Sequence, residues 1–411
     1  MNRHATAPLT VDAAAPREAA DRVKEIDALR GLALSGVLIV NALLMAGPGT
    51  VFGAGPSSGP ADRATAWLVG AFVAGKFYPL FAFLFGYSFV QQQRAAQRDD
   101  AAFAPRHLRR TTALFIVGAL HAVLLFPGDI LTAYAVLALP LFAFRHTSAR
   151  TAVRVGLVIV GILSLMLLTL GLVAVATTTS ESGAGGEAVT GATVSAYRGG
   201  FSSVVTAHLH ALPGTVATNL LYAPQMFAAF LFGLAVAGSE TLKRSAGDRE
   251  RLRGMVRHCL PLGMVGGIAT AMCTHGPLER SWFFVGQAVG VLIGPVLTAG
   301  YVGCALLLFS GSGGERAADI LAAAGRLSLT HYLTQSFVLC FVFTGVGLGW
   351  YDRVGATQVV VGCVLLFAGQ LAVSRPLTAK GRRGPAEAVL RWVTRGAGRS
   401  QPAPSAGRFT Y

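Results

Sequence analysis

The chain has 411 residues, 53% of them hydrophobic and only 13% charged, with a mean hydropathy of +0.57. Soluble chains carry charge on about a quarter of their residues, so a soluble globular fold is excluded. The net charge of +15 points first to nucleic acid, but the basic residues lie between long apolar stretches, which argues against a nucleic-acid surface.

Residues 1–21 are Ala-rich and polar and read as a disordered tail. No cleavable signal peptide is evident, so the first span serves as the insertion signal. Apolar stretches follow near 28–47, 66–90, 111–126, 129–144, 155–176, 213–237, 258–275, 282–310, 327–346 and 355–374. Most reach the ~20 residues that cross ~30 Å of hydrocarbon; those at 111–126 and 129–144 are short. The predicted fold class is all-α, a polytopic transmembrane bundle of about ten helices. Six form an N-terminal membrane region, 22–239, with an external loop at 177–212. Within that loop, Phe201 to Leu212 is expected as a short interfacial helix. A charged link at 240–257 leads to four further helices in 258–395, and 396–411 is a second disordered tail. The five cysteines, Cys259, Cys273, Cys304, Cys340 and Cys363, lie within or at the ends of spans without a CxxC, which speaks for packing and against disulfides or a metal site.

Alternating the connections from an inside N-terminus places 29 of the 34 Lys and Arg on the inner side. Only Arg63, Arg198, Arg280 and Arg353 fall outside, and Lys76 lies within a span. This positive-inside pattern predicts a plasma-membrane protein with both termini cytoplasmic. The inner cationic face would attract anionic lipid headgroups. Arg outnumbers Lys amid abundant Ala and Gly, which suggests a bacterium with a GC-rich genome.

Ionisable groups at membrane depth are expensive, so each is a site candidate. At ~1.5 Å per residue, Asn41 lies about 10 Å below the outer face. The Pro127-Gly128 turn closes spans three and four into a hairpin, which sets His121 and Tyr134 at the same depth. Asp129 is expected about 7 Å nearer the mouth, out of direct reach of His121 by helix rise. This outer layer contrasts with an inner one of Lys76, His331 and Gln335, with Arg326 below. Bland alternatives stand beside each candidate. Asp27 and Arg30 suit an interfacial ion pair, His121 and His331 suit packing histidines, and His208 with His210 form a lone HxH that reads poorly as a metal site.

Four segments, "RVKEIDALRGLALSGVLIVN", "GKFYPLFAFLFGYSF", "GALHAVLLFPGDILTAYA" and "AGRLSLTHYLTQS…GLGWYDRVG…GPAEAVLRW", together resemble the YeiB-like bacterial membrane proteins that carry domain of unknown function 418. The likeness runs in order from about 22 to 395. It departs at "LTHYL", where His331 replaces the usual Asn, and at "LTAKGRRGP", which lacks the usual Trp. The first helix is also similar to the transmembrane acyltransferase superfamily, in which acyltransferase-3 proteins place a His at the position of Asn41.

That likeness implies transmembrane acyl transfer. Acyl-CoA would be the cytoplasmic donor, with no tightly bound cofactor, and a small-molecule, lipid or glycan acceptor would arrive from outside. His121 would act as general base. Asn41 or Tyr134 would serve the oxyanion, with Asp129 nearby. Lys76, Arg30, Arg326, His331 and Gln335 would meet the donor. A transporter or exporter, or a non-catalytic scaffold, uses the same polar layers without chemistry, and homo-oligomerisation is left open.

Overall fold

The computed structural model describes residues 14–54, 58–100, 102–177, 186–238, 249–311 and 313–395, and the regular structure among them is helical. We label the α-helices α1 (Ala14–Ala46), α2 (Pro60–Phe72), α3 (Phe77–Arg98), α4 (Phe103–Leu124), α5 (Leu131–Ala143), α6 (Ala149–Thr177) and α7 (Gly186–Arg198). They continue as α8 (Phe201–Gly238), α9 (Arg249–Thr274), α10 (Phe283–Phe309), α11 (Gly314–Arg326), α12 (Ser328–Phe343), α13 (Ala356–Ala379) and α14 (Pro385–Arg395).

Each apolar stretch found in the sequence is helical, that at 66–90 as two helices, α2 and α3. Among the described residues seven segments are long and apolar enough to cross a membrane, including Lys24–Ala46, Pro60–Arg98 and Phe201–Gly238, while Leu131–His146 and Ser328–Phe343 are apolar but shorter. The outer surface fits hydrocarbon. Ile162 and Leu165 on α6 are each 64% exposed, and Leu365 on α13 is 68% exposed. Such faces are stable against lipid and not against water. The chain is therefore a polytopic helical membrane protein. One end of the bundle gathers Arg94, Arg98, Arg106, Arg150 and Arg251 and is called the basic end here; the connecting segments 47–54, 125–130 and 344–355 lie at the far end.

Close helix packing depends on small residues. A Cβ on Gly86 of α3 would lie 2.0 Å from the Phe230 carbonyl of α8, and one on Gly233 would lie 1.9 Å from the Phe83 carbonyl. The two backbones thus touch, as small residues allow in lipid. Around this contact Phe85, Phe89, Tyr134 and Phe230 form the largest apolar cluster. At the basic end, α14 crosses beneath α12. Glu387 there accepts from Leu329 N (2.8 Å), Thr330 N (3.0 Å) and Thr330 Oγ1 (2.5 Å). It satisfies the first amides of α12 from another helix, which otherwise lack intrahelical partners.

Several boundaries differ from expectation. α1 already includes residues 14–21, and α9 begins at Arg249 inside the expected link; residues 1–13, 239–248 and 396–411 lie outside the described residues. Phe201 to Leu212 is not a separate interfacial helix but the first turns of α8, which runs through Pro213 and Pro224. Proline removes one amide from the ladder of a helix, here those that would serve Leu209 O and Leu220 O.

Candidate functional site

The second span is broken. Residues Val73–Lys76 separate α2 from α3, and Gly75 takes φ +76°, a conformation that favours glycine. Lys76 thus sits at a break and not within a continuous helix as the sequence suggested. A break at membrane depth frees carbonyls that need donors. Lys76 Nζ donates to Gly70 O (2.9 Å), Tyr301 Oη to Phe72 O (2.9 Å), and Thr298 Oγ1 to Lys76 O (3.2 Å). Lys76 is buried, and among the described residues it has no carboxylate partner.

This break floors a cavity of 880 Å³ that reaches toward the far end. Along α1 it extends from Gly36 to Met45, about 14 Å at the helical rise. Asn41 faces it, and its carboxamide makes no hydrogen bond among the described residues. The α8 wall presents His208, Thr215, Thr218, Asn219, Tyr222 and Gln225 at helical spacing. Tyr197 and Tyr351 close the far end with rings stacked 4.5 Å apart. Arg198 Nε holds Tyr351 O at 2.9 Å. Burial, and secondarily the Cys340 thiol, push the Tyr197 phenol up to about 12, so it stays neutral. His275 borders the same space. Burial holds its imidazole below the usual value, the Val51 carbonyl opposes this, and the Lys76 ammonium adds to it.

A second cavity of 370 Å³ lies on the basic side of the break, lined by Leu80, Phe83, Phe232, Met255 and Leu306. From Gln225 to Val236 it follows α8 for about 16 Å. Arg251 stands at its basic end and Thr298 near the other. Gln225 lines both cavities, and Tyr78 Oη donates to its Oε1 at 2.7 Å.

The predicted outer layer divides. His121 Nδ1 lies 3.0 Å from Asp129 Oδ1 with both side chains almost fully buried, in ion-pair range but without the alignment of a hydrogen bond. The expected 7 Å separation is therefore overturned. It assumed that Asp129 continues a helix, whereas residues 125–130 fold back as a turn and Asp129 Oδ2 accepts from Thr132 N (2.7 Å) and Thr132 Oγ1 (2.8 Å) at the start of α5. Gly118 permits the fold-back, since a Cβ there would lie 2.6 Å from Asp129 Oδ2. Tyr332 adds its ring 4.9 Å from His121 and a hydroxyl 3.3 Å from Asp129 Oδ1. Neither His121 nor Asp129 lines the cavity. Tyr134 also lies away from it. Its hydroxyl donates to Tyr78 O at 2.7 Å, and its ring sits among Phe81, Phe85 and Phe230.

The inner layer divides in the same way. Lys76 meets the cavity. His331 Nε2 instead pairs with Ser374 Oγ at 2.6 Å, and Gln335 Nε2 donates to Gln370 Oε1 at 2.7 Å, both between α12 and α13. Arg30 binds Asp27 Oδ1 at 2.6 Å and Ser88 Oγ, and Arg326 lies within electrostatic reach of Asp27 at the basic end. Among the described residues no three His, Cys, Asp or Glu side chains stand close enough to share a metal ion.

Sequence reasoning missed His208, Tyr78 and Gln225. His208 is 1% exposed and lines the cavity, and its Nδ1 lies 3.0 Å from Val123 O. The periodic polar face from 208 to 225 was the signal available for it.

Residues 236–397 match the model of a family described as "Protein of unknown function (DUF418)". Over 403 residues the chain is 28% identical to "Uncharacterized protein YxaH" of Bacillus subtilis (strain 168), covering 91% of this chain and 94% of that protein. It is 25% identical over 382 residues to "Uncharacterized 39.9 kDa protein in amylase 3'region" of Bacillus acidopullulyticus, with the same coverage. Both likenesses extend well beyond the C-terminal match.

Proposed function

We propose that this chain, whose residues 236–397 carry the DUF418 domain, is a membrane acyltransferase. In this reading the basic end faces the cytoplasm of a bacterial plasma membrane, both termini are cytoplasmic, and about ten helices span. Acyl-CoA enters as donor substrate from the basic end. A hydroxyl or amine of a small molecule, lipid or glycan enters from the far end.

The observation that carries the reading is the pair of cavities approaching from opposite ends and sharing Gln225. A pantetheine arm threaded past the septum at Gln225 would carry its thioester into the larger cavity, so that only the acyl group passes to the acceptor while the donor's nucleotide stays on the basic side. Arg30 and Arg326 at the basic end provide cations for the donor's phosphates. Asn41 offers an unengaged amide N–H to a developing oxyanion, and Lys76 adds positive charge from the floor. His331 and Gln335 tie α12 to α13 and support this geometry from outside the cavities. The division into membrane regions 22–239 and 258–395 belongs to the same proposal, with α1 and α8 of the first and α10 of the second supplying most of the wall of the larger cavity.

The stacked cavities also suit a carrier that opens to each side in turn, so chemistry has to be tested directly. Deletion and wild-type cells are compared for acylation of lipids and envelope glycans. The expected result is an acylated species lost on deletion and restored by the wild-type gene. An unchanged acylation profile with lost efflux of a small molecule would establish the carrier reading instead.

A further inference from the structure

We infer that His208, and not His121, is the side chain that takes the acceptor's proton, with His121 and Asp129 as positioning residues behind it. This inference rests on the acyl-transfer reading. His121 was the natural candidate in the sequence, but it lies outside the cavity wall, packed on Tyr332 and against Asp129, and both of its ring nitrogens are buried without hydrogen-bond partners. His208 is as deeply buried, yet it faces the cavity with Asn41.

The tautomer of His208 follows from its partner. Val123 O accepts only, so Nδ1 carries the proton and donates across 3.0 Å. A neutral ring held this way leaves Nε2 as a lone-pair acceptor, the form required of a general base. No protein group among the described residues occupies that nitrogen. The groups packed near the ring are the Tyr197 phenol of α7, with ring centroids 5.5 Å apart, and the His121 imidazole of α4, close enough for two charged rings to repel. Asp129 stands behind His121. Val123 belongs to the same turn of α4 as His121, so the contacts of His121 with Asp129 and Tyr332 fix the carbonyl that orients His208.

His208 Nε2 takes the proton of the acceptor hydroxyl or amine as its oxygen or nitrogen bonds to the thioester carbonyl carbon. The carbonyl oxygen becomes an oxyanion beside Asn41. The C–S bond then breaks, the carbonyl re-forms, and the imidazolium returns the proton to the leaving thiolate.

His208 also supplies a donor to one of the last carbonyls of α4, a structural role that the test has to separate. His208→Asn separates it, because its amide N–H reaches about as far as Nδ1 while nothing replaces Nε2. With the protein in lipid nanodiscs and acetyl-CoA or octanoyl-CoA as probe, thiol release is measured with the acceptor fraction of cell envelopes present. His208→Asn is expected to lower kcat by about 10²–10⁴-fold with an unchanged melting temperature. Wild-type kcat should fall on the acid side of an imidazole titration, and His121→Gln should move that limb without abolishing release. Wild-type release with an unimpaired His208→Asn variant would overturn this assignment alone; no release from the wild type would overturn acyl transfer and this step with it. Diethyl pyrocarbonate labelling, read by mass spectrometry, gives an activity-independent measure. It should modify His208 and spare His121, and the reverse pattern would refute the proposed placement.

Discussion

The cavity wall and the α12–α13–α14 region use the same kinds of side chain differently. Between α12 and α13, His331 is bound to Ser374, Gln335 to Gln370, and Gln370 Nε2 in turn to His331 O at 3.2 Å and Thr334 Oγ1 at 3.1 Å. Glu387 completes the start of α12. Each polar group there answers another, which is what hydrocarbon demands of a structural site. Around the larger cavity, Asn41 has no partner among the described residues, His208 uses one nitrogen, and Lys76 has only a carbonyl. Polar residue type at membrane depth therefore does not separate function from structure; unengaged donors and acceptors facing space do.

Substitutions on the two sides should part accordingly. After His208→Asn, the largest effect is expected from Asn41→Ala, which removes an amide facing the reaction space. Transfer should fall by about 10²–10³-fold, with the melting temperature preserved. A variant that transfers acyl groups at the wild-type rate would remove Asn41 from the site and blur the contrast. Next comes Glu387→Ala, which strips the cap from α12. It should cost about 0.5–2 kcal/mol of stability, seen as a lower melting temperature, while kcat per folded molecule holds. A comparable loss of kcat would mean that the packed region takes part in turnover.

The smallest effect is a pH dependence at His275. Burial depresses its folded-state pKa, so at mildly acid pH the unfolded chain binds more protons than the folded one. Stability should therefore decline as pH falls below about 6.5, the ordinary imidazole value, and continue to decline down to the lower folded pKa. Melting temperatures of the wild type and His275→Gln between pH 7 and 5 check this, and the variant should show the shallower slope. Equal slopes would assign the pH dependence to other groups.

The bundle was legible in the sequence because each span is a long apolar run bounded by charge or turn residues, and Pro127-Gly128 marked its hairpin correctly. Asn41 was legible because it stands alone among aliphatics in α1. Three things were not. Asp129 was placed by helix rise, which fails where the chain leaves the helix for its turn. The break at Val73–Lys76 was hidden in an apolar run, although Gly75 was available as a hint. His208 is weighed in the sequence only with its neighbour His210, as a metal pair, and rejected, whereas its relevant companions lie further along α8, from Thr215 to Gln225. Three-dimensional burial also turned the predicted polar layers into separate clusters, which depth along isolated helices could not reveal.

The depth of the larger cavity has an electrical consequence. Its floor at Gly36 and Lys76 lies about 14 Å in from Met45, nearly half of a ~30 Å hydrocarbon slab. Solvent filling that space would carry the potential of the far compartment down to the septum, so the membrane voltage would drop over the remaining half. The Lys76 ammonium would then stand at the edge of a steepened field. A full unit charge crossing 100 mV exchanges about 2.3 kcal/mol, so even a partial displacement of that lysine would couple the site to the energised state of the membrane.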